Sequence, residues 1–479
     1  MPREHLLKIG VSGIRGVVGP FLTPQLARAF AQAFGTYVGR GRVVVGRDTR
    51  STGPMLQHAV HCGLLAAGCE VIDVGVLPTP TIQLYTGVIG ARGGLAITAS
   101  HNPPEYNALK LFNASGLFFN HYERGELLDI YHQSAFREAS NAEICSVVEE
   151  RKAPIRIHFD RVLAQVDVER IRARKFRVAL DAVNGAGAVM TPQFLRDELG
   201  CELHAIAVDP EKPFPRVAEP RPDTLTELSA LVKKHGCDIG FGQDPDGDRL
   251  AVTDENGRVL DNDDVLAIAV DAVLARHAGP VTVNLTTSMV IDEVAAAHLA
   301  PVVRTPVGEA NVVEGMLACG AVIGGEGSNG GVIFPAVQYC RDSYAGMALW
   351  LDRMASTRRT ASGLAGALPR YHRRSATVTL EHGWLGTVIQ RLAAEWPEAH
   401  LDRRDGLKLL MDGAWVHARA SNTEPILRLS VEAKSAERAE TLFQRAKELL
   451  STSGQALAGP SVAGRALTGP ASAAPTRAK

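Results

Sequence analysis

The run VALDAVNGAG, Val178 to Gly187, is apolar and then breaks into a turn of Asn and Gly. It reads as a buried strand followed by a loop, and the same pattern recurs at VVVGRDTR (Val43 to Arg50) and VTVNLTTS (Val281 to Ser288). Between these runs lie amphipathic stretches such as PQLARAFAQAFGTYV and DDVLAIAVDAVLARH, with apolar residues at helical spacing. Alternating strand and helix implies parallel α/β sheets, and three such runs suggest three similar units. The first unit is expected to end in the charged connection near Val148 to Pro154, and the second near Asn256 to Asp261. After Pro369 the pattern changes to TVTLEHG, a helix, dense β-branched alternation from Leu407 to Ala433, and the helix ERAETLFQRAKELL, a small α+β domain. The predicted boundaries are 1–152, 153–256, 257–369 and 370–452. The remaining tail, 453–479, is rich in Gly, Ala, Pro and Ser and is expected to be disordered.

A chain of 479 residues exceeds one compact core. Its 46% apolar and 22% charged content, with mean hydropathy near zero, excludes global disorder. Lys plus Arg (51) nearly cancels Asp plus Glu (52), so no overall field steers the protein to nucleic acid or an acidic membrane. The seven cysteines contain no C-x-x-C pair, which suggests reduced, cytoplasmic chemistry without a zinc site. No signal-like or membrane-spanning run is read in the sequence.

Four loops carry chemistry. Thr98-Ala99-Ser100-His101-Asn102-Pro103-Pro104 follows the strand-like GGLAI and exposes a serine among groups that bind phosphate oxygens, with Lys110 close by. That suits a nucleophile or a phosphorylated residue; an ordinary Asn-Pro turn is the plain alternative. In Gly242-Gln243-Asp244-Pro245-Asp246-Gly247-Asp248-Arg249, Pro245 and Gly247 forbid a helix. Residues two apart in an extended loop point the same way, so three carboxylates converge and call for a cation, with Mg²⁺ or Ca²⁺ favoured by all-oxygen ligation. An EF-hand is disfavoured because Arg249 stands where its glycine belongs and the flanks read as strands. Arg249 beside such a cation would add a phosphate or carboxylate clamp. Gly324 to Gly331 lets backbone approach a ligand, while Glu326, Ser328 and Asn329 offer partners for sugar hydroxyls. Arg419-Ala420-Ser421-Asn422-Thr423-Glu424-Pro425, with Arg428, makes an anion site, and Arg15 in Gly13-Ile14-Arg15-Gly16 is a further phosphate contact.

In this order and spacing the four loops resemble the α-D-phosphohexomutase family, from about Lys8 to about Leu450. The resemblance implies four domains around a central cleft: three related α/β domains with mixed sheets between helices, and a C-terminal α+β domain of the TATA-binding-protein-like type. It implies that Ser100 is a phosphoserine, that Asp244, Asp246 and Asp248 with Ser100 hold one Mg²⁺, and that Lys110, His101 and Arg15 assist catalysis. Glu326, Ser328, Asn329 and Arg249 then meet the sugar phosphate, and Arg419, Ser421, Asn422, Thr423 and Arg428 grip the non-transferring phosphate. A sugar bisphosphate is the implied intermediate and activator. The expected His of the sugar loop is absent, and the stretch GGEGSNGGVIFPAVQYCRDS, more like the family's Gly-Asn-Gly variants, with the Thr-Ala-Ser start of the Ser100 loop favours glucosamine phosphate over mannose or glucose phosphate. A Mg²⁺-dependent sugar phosphatase and a non-catalytic sugar-phosphate-binding protein are the rival readings. The expected partner is a small phosphosugar, with no nucleic acid or membrane, on a monomer or homodimer.

Overall fold

Val43, Val44 and Val45 are fully buried in the first of four sheets, as a β-branched run should be. That sheet contains β1 (Leu7–Gly10), β2 (Gly13–Val17), β3 (Arg42–Arg47), β4 (Glu70–Val76), β5 (Gly93–Ile97), β6 (Tyr106–Phe112) and β7 (Val147–Glu149). Their order is β1-β2-β6-β5-β3-β4-β7. The second sheet, β8 (Arg177–Asp181), β9 (Glu202–Ile206), β10 (Ile239–Gln243) and β11 (Leu250–Asp254), has the order β11-β10-β8-β9. The third, β12 (Val281–Asn284), β13 (Val302–Thr305), β14 (Ile323–Glu326) and β15 (Gly331–Ile333), has the order β13-β12-β14-β15. The computed structural model describes residues 7–10, 13–379, 385–420 and 426–451, so the tail expected to be disordered lies outside the described residues.

Counted along the chain within each unit, the strands of the second and third sheets stand in one spatial order, fourth-third-first-second, and β6-β5-β3-β4 repeats it inside the first. The repeat suspected from three strand runs is therefore a shared topology. In each unit the first three strands pair in parallel and the last returns antiparallel, at β5–β6, β10–β11 and β14–β15. The sheets are mixed where strand–helix alternation alone implied parallel ones, because a tight hairpin reverses the chain without a crossover helix. At the connection near Val148, β7 pairs with β4, Val71 facing Val147, and extends the first sheet.

Helix Pro24–Val38 illustrates how the local sequence builds the layers. Thr23 caps it by accepting from the Leu26 N–H, Pro24 opens it, and Ala27, Phe30, Ala31, Phe34 and Val38 form its buried face. That face packs with Val43, Val45, Leu95 and Leu109 in one core.

The chain divides into two compact units, Met1–Arg370 and Tyr371–Lys479. The second is a five-stranded antiparallel sheet, β16 (His372–Thr379), β17 (His400–Asp402), β18 (Leu407–Met411), β19 (Ala414–Ala420) and β20 (Ile426–Ala433), in the order β16-β20-β19-β18-β17. Helices Leu385–Glu395 and Ala436–Ser451 cover it through Val388, Leu392, Ala439 and Phe443. Among the described residues no helix is long and apolar enough to cross a membrane.

Candidate active site

The first three chemical motifs occupy equivalent places, the turn between third and fourth strands of each repeat. In the β5–β6 turn Ser100 has φ 50°, the left-handed region, and its Oγ donates to Asp244 Oδ2 at 2.7 Å. His101 Nδ1 lies 3.3 Å from Ser100 Oγ, and Asn102 Oδ1 accepts from Arg15 Nη1 at 2.7 Å. Lys110, on β6, is fully enclosed; its Nζ reaches Asp246 Oδ2 at 2.6 Å and Asp248 Oδ2 at 3.4 Å.

The β10–β11 turn brings Asp244, Asp246 and Asp248 together, with one oxygen of each within 4.8 Å of the others. Gly247 permits the bend at φ 64°. All three carboxylates are buried, and Asp246 Oδ1 and Asp248 Oδ1 have no hydrogen-bond partner. Buried acceptors left bare cost free energy, and a hard divalent cation such as Mg²⁺ satisfies oxygen donors of this kind; the triad fits such an ion. Burial and then the neighbouring Asp248 and Asp246 push the Asp244 carboxyl well above its ordinary range. Burial pushes Asp246 the same way, but Lys110 and hydrogen bonds, including one from Thr79, outweigh it and hold Asp246 below its ordinary value. Burial opposes the charge on Lys110, yet Asp246 and Asp248 hold its ammonium above the usual lysine value. His101 is driven down to about 2 by burial and by the cations Arg249, Arg15 and Arg341.

Arg249 donates its backbone N–H to Asp244 Oδ1 at 3.1 Å and its Nη1 to Glu219 Oε1 at 2.8 Å, while its buried Nε is without a partner. In the β14–β15 turn Glu326 accepts from Asn284 Nδ2 and from the Gly308 N–H, each at 3.0 Å. Ser328 is exposed with its Oγ 3.4 Å from Thr286 Oγ1, and Asn329 ends the short turn Gly327–Asn329. Arg341 joins this turn to the acidic one: Nη2 lies 2.7 Å from Asp248 Oδ2, Nε 2.8 Å from Glu309 Oε2, and Nη1 3.7 Å from Glu326 Oε2. Contacts thus run from Arg15 and Ser100 through the triad to Glu326, while Ser328 bonds outside that path.

In the second unit Arg419 and Arg428 face each other across β19 and β20. Arg419 Nε donates to Asp405 Oδ1 at 2.9 Å. Like charges directly opposite are unfavourable in a sheet unless an anion joins them. Ser421, Asn422 and Thr423 lie outside the described residues.

Arg341, Glu219, Glu309 and Thr79 were not singled out from the sequence. Each takes its meaning from a partner on a distant element. The signal for Arg341 was its place in VIFPAVQYCRDS, directly after the glycine-rich loop.

Fold and site together define a sugar-phosphate mutase class, and comparison with known proteins agrees. The family described as "Phosphoglucomutase/phosphomannomutase" matches with its alpha/beta/alpha domains I, II and III at residues 6–138, 156–257 and 261–371, and its C-terminal domain at 388–449. The chain belongs to this family, the α-D-phosphohexomutases, and is an isomerase that acts by intramolecular phosphoryl transfer. A phosphoglucomutase/phosphomannomutase of Thermococcus kodakarensis is 39% identical over 450 residues, 92% of this chain and 98% of that one. A "Probable phosphoglucosamine mutase" of Methanopyrus kandleri is 38% identical over 437 residues, 90% and 95% of the two chains. The crystal structure of a phosphoglucomutase/phosphomannomutase family protein from Burkholderia thailandensis matches with a TM-score of 0.80 at 27% identity, covering 93% of this chain and 98% of that one.

Proposed function

We propose that the protein is a phosphoglucosamine mutase, interconverting glucosamine 6-phosphate and glucosamine 1-phosphate through phosphorylated Ser100. The reading rests above all on the Ser100 hydroxyl, which donates at 2.7 Å to a buried triad of carboxylates that fits a divalent cation. Ser100 gives its phosphoryl group to one sugar hydroxyl, breaking the P–Oγ bond and forming a P–O bond to the sugar. The resulting bisphosphate turns over in the site, and its other phosphate returns to Ser100 by the reverse step.

Lys110, held charged, gives the departing Oγ its proton. His101, held neutral, takes the proton of the attacking hydroxyl, its basicity raised by the phosphoryl dianion on the adjoining serine. Asp244, Asp246, Asp248 and the phosphoserine would hold Mg²⁺, which when bound supplies positive charge against the phosphoryl oxygens. Arg15 and Arg249 add their charge, Glu326, Ser328 and Asn329 meet the sugar, and Arg419, Ser421, Asn422, Thr423 and Arg428 hold the resting phosphate. The domain limits read from the sequence, 1–152, 153–256, 257–369 and 370–452, assign one of these loops to each domain.

The sugar loop Gly327-Ser328-Asn329-Gly330, more like the Gly-Asn-Gly variants of the family, and the name of the Methanopyrus relative favour glucosamine. The Thermococcus relative's name favours the neutral sugars as the second reading. Mg²⁺-dependent mutase assays on glucosamine 6-phosphate, mannose 6-phosphate and glucose 6-phosphate, primed with sugar bisphosphate, decide between them. We expect the highest kcat/KM on the amino sugar and no turnover by Ser100→Ala. Preference for a neutral sugar overturns the substrate, and an active Ser100→Ala overturns the mechanism.

A further inference from the structure

Ser100 holds a left-handed backbone, φ 50°, which costs a residue with a Cβ free energy that its surroundings must offset. Both of its main-chain polar groups lead to one buried carboxylate. The Ser100 N–H donates to Thr98 Oγ1 at 2.9 Å, and the Thr98 hydroxyl donates to Asp48 Oδ2 at 2.6 Å. The Ser100 carbonyl accepts from Arg50 Nη2 at 2.6 Å, and Arg50 Nε donates to the same Asp48 Oδ2 at 3.1 Å. The circuit closes on a single oxygen.

The rest of the Arg50 guanidinium is spent on the same turn. Nη2 also donates to the Asn102 carbonyl at 2.7 Å, and Nη1 donates to those of Pro103 and Tyr106 at 2.7 and 3.0 Å. All five N–H donors of the fork are thereby used, four of them on carbonyls of one loop. Asp48 Oδ1 takes the Arg50 backbone N–H at 3.0 Å, and the Phe214 ring lies 5.2 Å from the guanidinium carbon. Asp48, Arg50 and Thr98 are all buried. Burying an ion pair costs desolvation that Coulomb attraction alone seldom offsets, so its retention here is explained by the geometry it imposes.

We propose that Asp48, Arg50 and Thr98 are positioning residues that hold Ser100 in its left-handed conformation and so fix the direction in which its Oγ gives and takes the phosphoryl group. The proposal rests on the phosphoserine reading above. Asn102, whose carbonyl is one of the four, also carries the amide that receives Arg15, so the same clamp sets that arginine.

Three substitutions test it on the full-length, Mg²⁺-loaded enzyme. Thr98→Val keeps the shape and deletes the link from Ser100 to Asp48, and Thr98→Ser restores that link. Arg50→Lys replaces a planar five-donor fork by a three-donor point charge. Glucose 1,6-bisphosphate is the phosphoryl donor, loading of Ser100 is followed by intact mass in a single turnover, and affinity for glucosamine 6-phosphate is measured by calorimetry. Thr98→Val and Arg50→Lys should load about 10²-fold more slowly, the scale expected of a misplaced reacting atom, with affinity unchanged, and Thr98→Ser should recover most of the rate.

Loading of Thr98→Val at the wild-type rate, or loss of affinity in the same proportion as loading, overturns the proposal. If Arg50→Lys does not fold, the two Thr98 variants decide alone. A wild-type enzyme that never gains a phosphoryl group at Ser100 takes down the phosphoserine reading and this one with it, an outcome separate from equal loading of all variants.

Discussion

His101 and Lys110 stand beside the same acidic turn and are pushed apart in charge by their neighbours. Lys110 meets two carboxylates, whereas His101 is buried among Arg249, Arg15 and Arg341 and falls to about 2. In the unfolded chain the imidazole takes a proton near pH 6.5, and in the folded, unphosphorylated, metal-free chain it does not. Between those values the unfolded state binds more protons, so this residue makes stability fall as pH drops below about 6.5. His101→Asn should therefore gain on the wild type in urea midpoint on going from about pH 8 to about pH 5; a difference that ignores pH would show that the folded imidazole is protonated after all. At this scale the sequence disclosed what a single loop contains: Ser100 and the three aspartates lie within short motifs, and Lys110 follows closely on the first of them. Asp48 and Arg50 were on view in VVVGRDTR but read only as a strand end, because their partners, Thr98 and the carbonyls from Ser100 to Tyr106, come from another hairpin. Arg341 was obscure for the same reason, since its partners Asp248, Glu309 and Glu326 come from three separate elements.

Among elements, helix Ser343–Thr357 shows how one residue couples local and tertiary order. Asp342 caps it, accepting from the Tyr344 N–H at 2.9 Å, and its other oxygen meets His158 Nε2 at 2.8 Å, fully buried, while His158 Nδ1 meets Thr81 Oγ1 at 2.8 Å. Helix His121–His132 is capped only locally, by a reciprocal pair of Asn120 and Glu123. Losing a cap costs about 1 kcal/mol, and leaving a buried polar group unpaired adds about 1–3 kcal/mol. Asp342→Ala should thus destabilise by about 2–4 kcal/mol in denaturant unfolding, against about 1 kcal/mol for Asn120→Ala; equal losses would mean that the His158 contact contributes nothing. The helices themselves were readable from period and caps, as Pro24–Val38 matches its amphipathic stretch end to end. The antiparallel fourth strand of each unit was not, because Leu250–Asp254 and Gly331–Ile333 look like any short apolar run until their hairpin pairing is known.

For the molecule as a whole, hairpin placement relates motifs that lie far apart in sequence: three occupy the same turn of one repeated topology, while the arginines of the fourth, Arg419 and Arg428, stand on β19 and β20 of the second unit. That common place was invisible as sequence identity, since a turn conserves position and leaves residue type free to take up different chemistry. It also separates the two units by ligand. Every residue proposed to hold Mg²⁺ belongs to Met1–Arg370, whereas the arginines proposed to grip the resting phosphate belong to Tyr371–Lys479. An ion bound only by the folded state stabilises by about 2.7 kcal/mol at a hundredfold its Kd. In scanning calorimetry Mg²⁺ should therefore raise the transition of the first unit and leave that of the second in place, and Asp246→Asn should abolish the rise. Sugar bisphosphate added with Mg²⁺ should move both transitions if Arg419 and Arg428 hold a phosphate as proposed. If Mg²⁺ raises both transitions equally, the ion has a ligand in the second unit or the two units unfold as one; if bisphosphate moves only the first, Arg419 and Arg428 do not hold the resting phosphate.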